Sequence, residues 1–192
     1  MLFAHVAPGY CTVEISKKNW NPVWGISRRR LLWIAAIGST IAPDADVIYN
    51  ALFRGYVNHG TLYTHSLFVH GSIALVWAIL YLSGHWHYLR TLIGLIAISG
   101  LSHLLLDVIA HDTPLFYPLS AQMIGIAPRS ITEGGILEYV TNPLFLLEPL
   151  LLMPVAVHWI SRREWSGRTR QRIIAGIVGI WAGFTFAFLM VV

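Results

Sequence analysis

The chain predicts an all-α, polytopic integral membrane bundle of about four to six hydrophobic helices, formed as a single domain over residues 1–192. Three observations predict it. Only 11% of the residues are charged and 56% are hydrophobic, whereas soluble domains carry about 25% charged residues. The mean hydropathy is +0.62. Several apolar stretches approach the roughly 20 residues, range about 17–25, that a bilayer span needs.

Taken in order, residues 2–15 form a short, less apolar stretch that suits a re-entrant or interfacial helix. They lack the basic start and long apolar run of a secretory signal. Residues 31–43 are also short, and fit a half-span or the inner part of a helix beginning near Trp24. Residues 67–84 and 91–110 are long and apolar. Residues 143–160 are apolar but interrupted by Glu148, Pro149 and Pro154, and residues 173–192 complete the set. The single cysteine, Cys11, rules out an intrachain disulfide.

The cations sort against these segments. If the chain crosses at each one, Lys17, Lys18, Arg28, Arg29, Arg30, Arg90, Arg162, Arg163, Arg168, Arg170 and Arg172 share one side. Only Arg54 and Arg129 fall on the other. The positive-inside rule makes the first side cytoplasmic. It also accounts for the net charge of +4 without a nucleic-acid partner. The expected partners are membrane lipids and a lipid-like or phosphoester substrate.

The same threading collects histidine and carboxylate on the non-cytoplasmic face. "PDADVIYN" follows residues 31–43, "NHGTLYTHS" precedes residues 67–84, and "SHLLLDVIAHD" closes residues 91–110. His103 and Asp107 stand four apart on an apolar helix and share its face. A bare carboxylate there is costly unless it is paired or bound to metal. Imidazole and carboxylate together suit zinc, iron or manganese. A buried hydrogen-bonded pair has the same spacing. His111 continues the face if the helix reaches it, although Pro114 argues for an earlier end, and Asp112 is an equal candidate.

Asp44 and Asp46 can offer one carboxylate to each of two metals, or one to a metal and one to a ligating histidine. Either could also take a proton from water as a general base. A D-x-D after proline is also a common cap or turn. His65 stands between Thr64 and Ser66, whose hydroxyls could hold a ligand, and His59 lies in the loop before. His70 is a neighbour of the cluster by position. Glu148 could be a ligand, a base, a partner for His70, or a structural carboxylate. Arg54 could hold an anionic substrate, or be a solvated loop cation. His85, His87 and His158 fall on the basic side and take no part.

His5, "PDAD", "HGTLYTHS" and "HLLLD" followed by "TPLFYPLS", in this order and at about these distances, resemble a family of membrane-bound, metal-dependent hydrolases. These are the LexA-regulated inner-membrane proteins. The resemblance covers residues 1–120, and extends more faintly to the helical zinc-dependent phospholipases C. It implies that His5, Asp44, Asp46, His65, His103 and Asp107 are metal ligands or their near neighbours. His59 matches the family's H-R-G element, but no arginine follows it here.

The leading expectation is therefore a hydrolase using a divalent metal, most plausibly zinc, to activate water against a phosphoester or lipid-like substrate. The competing expectation is a non-catalytic metal-binding or metal-transporting membrane protein. Haem ligation is less favoured, since the histidines alternate with aspartates on one face. The H-E-x-x-H motif of membrane metalloproteases is absent.

Overall fold

The computed structural model describes residues 4–54, 63–126 and 143–191. Among the described residues it is helical, with one isolated β-bridge between Thr113 and Ile124. His59 and Arg129 lie outside them.

The first helix, α1 (Val6–Ser16), carries Pro8 in its opening turn, where a missing N–H costs nothing. α2 (Ile26–Ile41) begins after Gly25 and takes Arg28, Arg29 and Arg30 into its first turn and a half. The stretch at residues 31–43 is thus the inner part of a longer helix, as one of the two expectations had it. Pro43 sits in the single 3-10 turn that ends α2 and opens α3 (Ala45–Phe53).

α4 (Leu67–Ser83) is capped by the Ser66 hydroxyl, which accepts from the Phe68 N–H. It stops at Gly84, whose φ of +71° favours glycine. α5 (His87–Ala110) ends where His111 turns extended, four residues after Asp107. α6 (Leu147–Ser161) keeps Pro154 inside the helix. α7 (Gly167–Val191) opens behind Ser166, whose hydroxyl accepts from the Thr169 N–H.

α5 is the hub. It packs on α4, α2 and α1, while α1 also meets α2 and α6, and α6 meets α7. Its buried stripe includes Gly94, Ala97, Ser99, Gly100 and Ala110. Small residues of this kind let helices approach closely in a membrane. Close approaches of this kind put Gly100 beside the His70 ring, Gly94 beside the Trp77 indole of α4, and Gly9 of α1 against the Ala36 carbonyl and Thr40 of α2.

The bundle has two unlike ends. Val13, Trp24, Leu32, Ala36 and Leu95 form an apolar core toward one end, flanked by Trp20, Trp33, Tyr88 and Leu92. Here the Tyr88 hydroxyl reaches the Arg28 carbonyl, Tyr10 meets His158, and Arg162 lies 3.9 Å from Glu14. The starts of α1 and α4 and the ends of α2 and α5 converge at the other end.

Among the described residues, α5 alone is long and apolar enough to cross a membrane by length and composition, and α4 is a shorter apolar helix. α1, with 11 residues, and α2, with 16, fall short of a full span. Only His70 of α4 is buried. Phe68, Leu75, Val76, Ile79 and Leu82 point outward, an apolar face far more suited to lipid than to water.

Candidate metal centre

Four separate elements deliver side chains to one buried point. His5 precedes α1, Asp44 and Asp46 flank the α2–α3 junction, His65 ends a 3-10 turn (Tyr63–His65), and His103 and Asp107 come from α5. The side chains of His5, Asp46, His65, His103 and Asp107 have no exposed surface, and that of Asp44 keeps 13%.

The shape of the donor set suits a metal ion. His65 Nε2 lies 3.4 Å from His103 Nε2, 3.3 Å from Asp107 Oδ2 and 3.8 Å from Asp44 Oδ1. His103 Nε2 is 3.5 Å from the same Asp44 oxygen and 2.8 Å from Asp107 Oδ2. Ligands held tetrahedrally at about 2.0–2.2 Å from zinc must stand roughly 3.3–3.6 Å apart. Three of the five separations fall within about 0.1 Å of that range, and the other two straddle it. The ligand atoms of His5, Asp44, His103 and Asp107 also lie within 4.8 Å of one another.

The surroundings aim the ligands. His103 Nδ1 stands 2.7 Å from the Thr40 carbonyl, so it donates there and turns the Nε2 lone pair into the cluster. His65 Nδ1 stands 3.3 Å from Asp46 Oδ2 and 3.2 Å from the Thr64 hydroxyl, leaving Nε2 facing Asp44 and Asp107. Of the two divisions open to the D-x-D pair, this geometry matches one carboxylate at the ligand cluster and one behind a ligating histidine. Burial alone would lower the His65 imidazole, but hydrogen bonds to Asp107, Asp44 and Asp46 outweigh it and push the group up to about 11. The carboxylates therefore demand a positive charge at this point, which a proton or a metal ion can supply.

The remaining candidates fall around this centre. His111 lies beyond the helix end, yet its Nε2 is 3.0 Å from Asp107 Oδ1. His70 Nε2 donates to the Thr64 carbonyl at 2.8 Å and so braces the turn that carries His65. The Ser66 hydroxyl donates to the Tyr117 carbonyl at 2.6 Å as well as capping α4. Glu148 accepts from the Ala4 N–H, beside His5 rather than beside His70. Asp112 is buried against Gly125, and Arg54 is exposed with its guanidinium 5.6 Å from the Tyr49 ring. Thr40 is the contributor that sequence reasoning misses. It acts through a backbone carbonyl, which no side-chain pattern reveals.

The fold and centre together define an α-helical bundle with, among the described residues, one helix long and apolar enough to cross a membrane and a buried His/Asp cluster that could hold a metal. A family model described as YdjM inner membrane protein matches residues 1–191. The chain belongs to that family, and its location is the membrane. No curated protein and no solved structure matches it.

Proposed function

We propose that the chain is a membrane-bound, metal-dependent hydrolase acting on a phosphoester, with a lipid-like substrate the best fit. The observation that carries this reading is the buried convergence of His5, Asp44, His65, His103 and Asp107, with donor separations of 2.8–3.8 Å among Asp44, His65, His103 and Asp107. Zinc suits two imidazoles and two carboxylates at this spacing, and manganese or iron can use the same donors. When bound, a divalent ion would supply Lewis acidity and bring the pKa of a coordinated water down toward neutrality.

The chain's own residues then divide the remaining work. Asp46 holds His65 in one tautomer from behind. Asp44 is the least buried of the six and borders the approach to the site, so it is the better placed of the two aspartates to accept a proton from water. Thr64, half-buried beside His65, and Arg54, exposed at the C-terminal cap of α3, are the groups we assign to an anionic substrate.

In this reading the bundle is polytopic, with about four to six membrane-embedded helices, and the site opens on the non-cytoplasmic face. The support is the separation of the ends: α1, α4 and α6 run from the site end toward Lys17, Arg90 and Arg162, and α2 and α5 run back. The positive-inside rule then orients the whole.

The test is elemental analysis of detergent-purified wild type and Asp107→Ala, with hydrolysis of a phosphoester and phospholipid panel. The expected result is stoichiometric metal and activity in wild type and neither in the variant. Metal without turnover of any phosphoester or ester would leave a non-catalytic metal-binding protein. No metal in either would remove the hydrolase reading.

A further inference from the structure

Asp107 meets more than one ion's worth of ligands. Its two carboxylate oxygens face different imidazoles. Oδ2 lies 2.8 Å from His103 Nε2 and 3.3 Å from His65 Nε2. Oδ1 lies 3.0 Å from His5 Nε2 and 3.0 Å from His111 Nε2. The ligand set proposed above uses only the Oδ2 side.

The tautomers sharpen this partition. His103 Nδ1 is committed to the Thr40 carbonyl at 2.7 Å, and His111 Nδ1 to the Asp112 carbonyl at 3.1 Å. Each ring therefore donates from Nδ1 and presents its Nε2 to Asp107. An imidazole Nε2 and a carboxylate oxygen held at 2.8–3.0 Å call for a positive charge between them, which a proton on Nε2 or a metal ion can supply. The condition arises twice, once on each oxygen. His5 joins the Oδ1 side. Its ring is fully buried and stacked on His103 with centroids 3.9 Å apart, so it cannot turn away.

We infer that Asp107 bridges two metal ions, one held with Asp44, His65 and His103 and the other with His5 and His111. This rests on the metal reading of the same centre and deepens it. Two ions held in this way would supply positive charge to both the attacking and the leaving oxygen of an in-line displacement, as hydrolysis of a phosphoester requires.

The experiment loads the full-length, detergent-purified protein with manganese(II), removes free ion, and combines elemental analysis with low-temperature electron paramagnetic resonance. Two ions per chain and an exchange-coupled signal are expected in wild type. His111→Ala and His5→Gln should each retain one ion, with an uncoupled six-line spectrum. One ion or none in wild type overturns the inference. So do two ions that stay coupled in both variants. If a variant fails to fold, wild-type stoichiometry and coupling still decide. Hydrolysis is not read, so two coupled ions without phosphoesterase activity would sink the hydrolase proposal and leave this one standing.

Discussion

Replacing Asp46 by asparagine removes one charge and hardly alters shape. Asp46 Oδ2 lies 3.3 Å from His65 Nδ1, across the ring from the Nε2 that faces Asp44 and Asp107. The carboxylate fixes the tautomer and makes Nε2 more basic. Removing such a partner weakens metal binding by about 10–100-fold, or about 1.4–2.8 kcal/mol. Asparagine keeps an acceptor oxygen in place, so Asp46→Asn belongs near the tenfold end. Asp46→Ala leaves Nδ1 with the Thr64 hydroxyl, 3.2 Å away, and belongs near the hundredfold end. Competition against a chelator, on the purified chain in detergent, reads the affinity. Repeating it in a His65→Ala background isolates the route. If Asp46 acts through His65, Asp46→Asn then changes affinity less than about twofold. An equal loss in both backgrounds, or none in wild type, would refute the orienting role.

Three further outcomes follow from the same geometry. The His65 pKa is raised in the folded, metal-free protein, from 6.5 to about 11, so its proton stabilises the fold fully below the unfolded value. That stability is lost as pH rises toward the folded one. The metal-free protein should therefore melt lower at pH 10 than at pH 7, while saturating zinc flattens the profile; a flat metal-free profile would contradict the assignment. In Gly100→Ala the added methyl would overlap the His70 ring and disturb its bond to the Thr64 carbonyl. Metal affinity should fall about tenfold, with His70→Ala adding little in that background, and full additivity would separate the two. Sealed vesicles containing the protein should show no zinc uptake above the lipid background, and uptake abolished by Asp107→Ala would favour the transport alternative.

Much of this centre is legible in the sequence because its strongest element is local. A four-residue step on a helix places His103 and Asp107 on one face whatever the rest of the fold does. The convergence of "PDAD", "THS" and "HLLLD" follows from alternating chain direction, which apolar segments and cation bias reveal. What is not legible depends on tertiary detail. Pro114 argues correctly that the helix stops early, but the extended His111 still turns its ring onto Asp107. Glu148 looks equally able to serve His70 or the N-terminus, and only the docking of α6 on α1 puts it beside Ala4. The number of spans is the other gap: residues 2–15 and 31–43 read as short, as α1 and α2 are, but among the described residues only α5 has the length and apolarity of a full span.

The distribution of polarity along α5 bears on what the centre is for. From His87 to Ala110, the buried positions run Gly94, Leu95, Ala97, Ser99, Gly100, then His103, Leu104, Asp107 and Ala110. Ionisable groups enter only in the last third. Toward the opposite end, Val13, Trp24, Leu32, Ala36 and Leu95 close the space between α1, α2 and α5 with hydrocarbon and indole. An ion leaving the cluster in that direction would meet no carboxylate among these core residues, and the cost of a bare charge there is several kcal/mol or more. Conduction needs sites weak and numerous enough to pass an ion along. The cluster seen among the described residues, its rings pinned by Thr40, Asp46 and Thr64 contacts, is instead built to keep one arrangement. Fixed ligands at one mouth of a closed bundle favour chemistry performed on a molecule that arrives from that side.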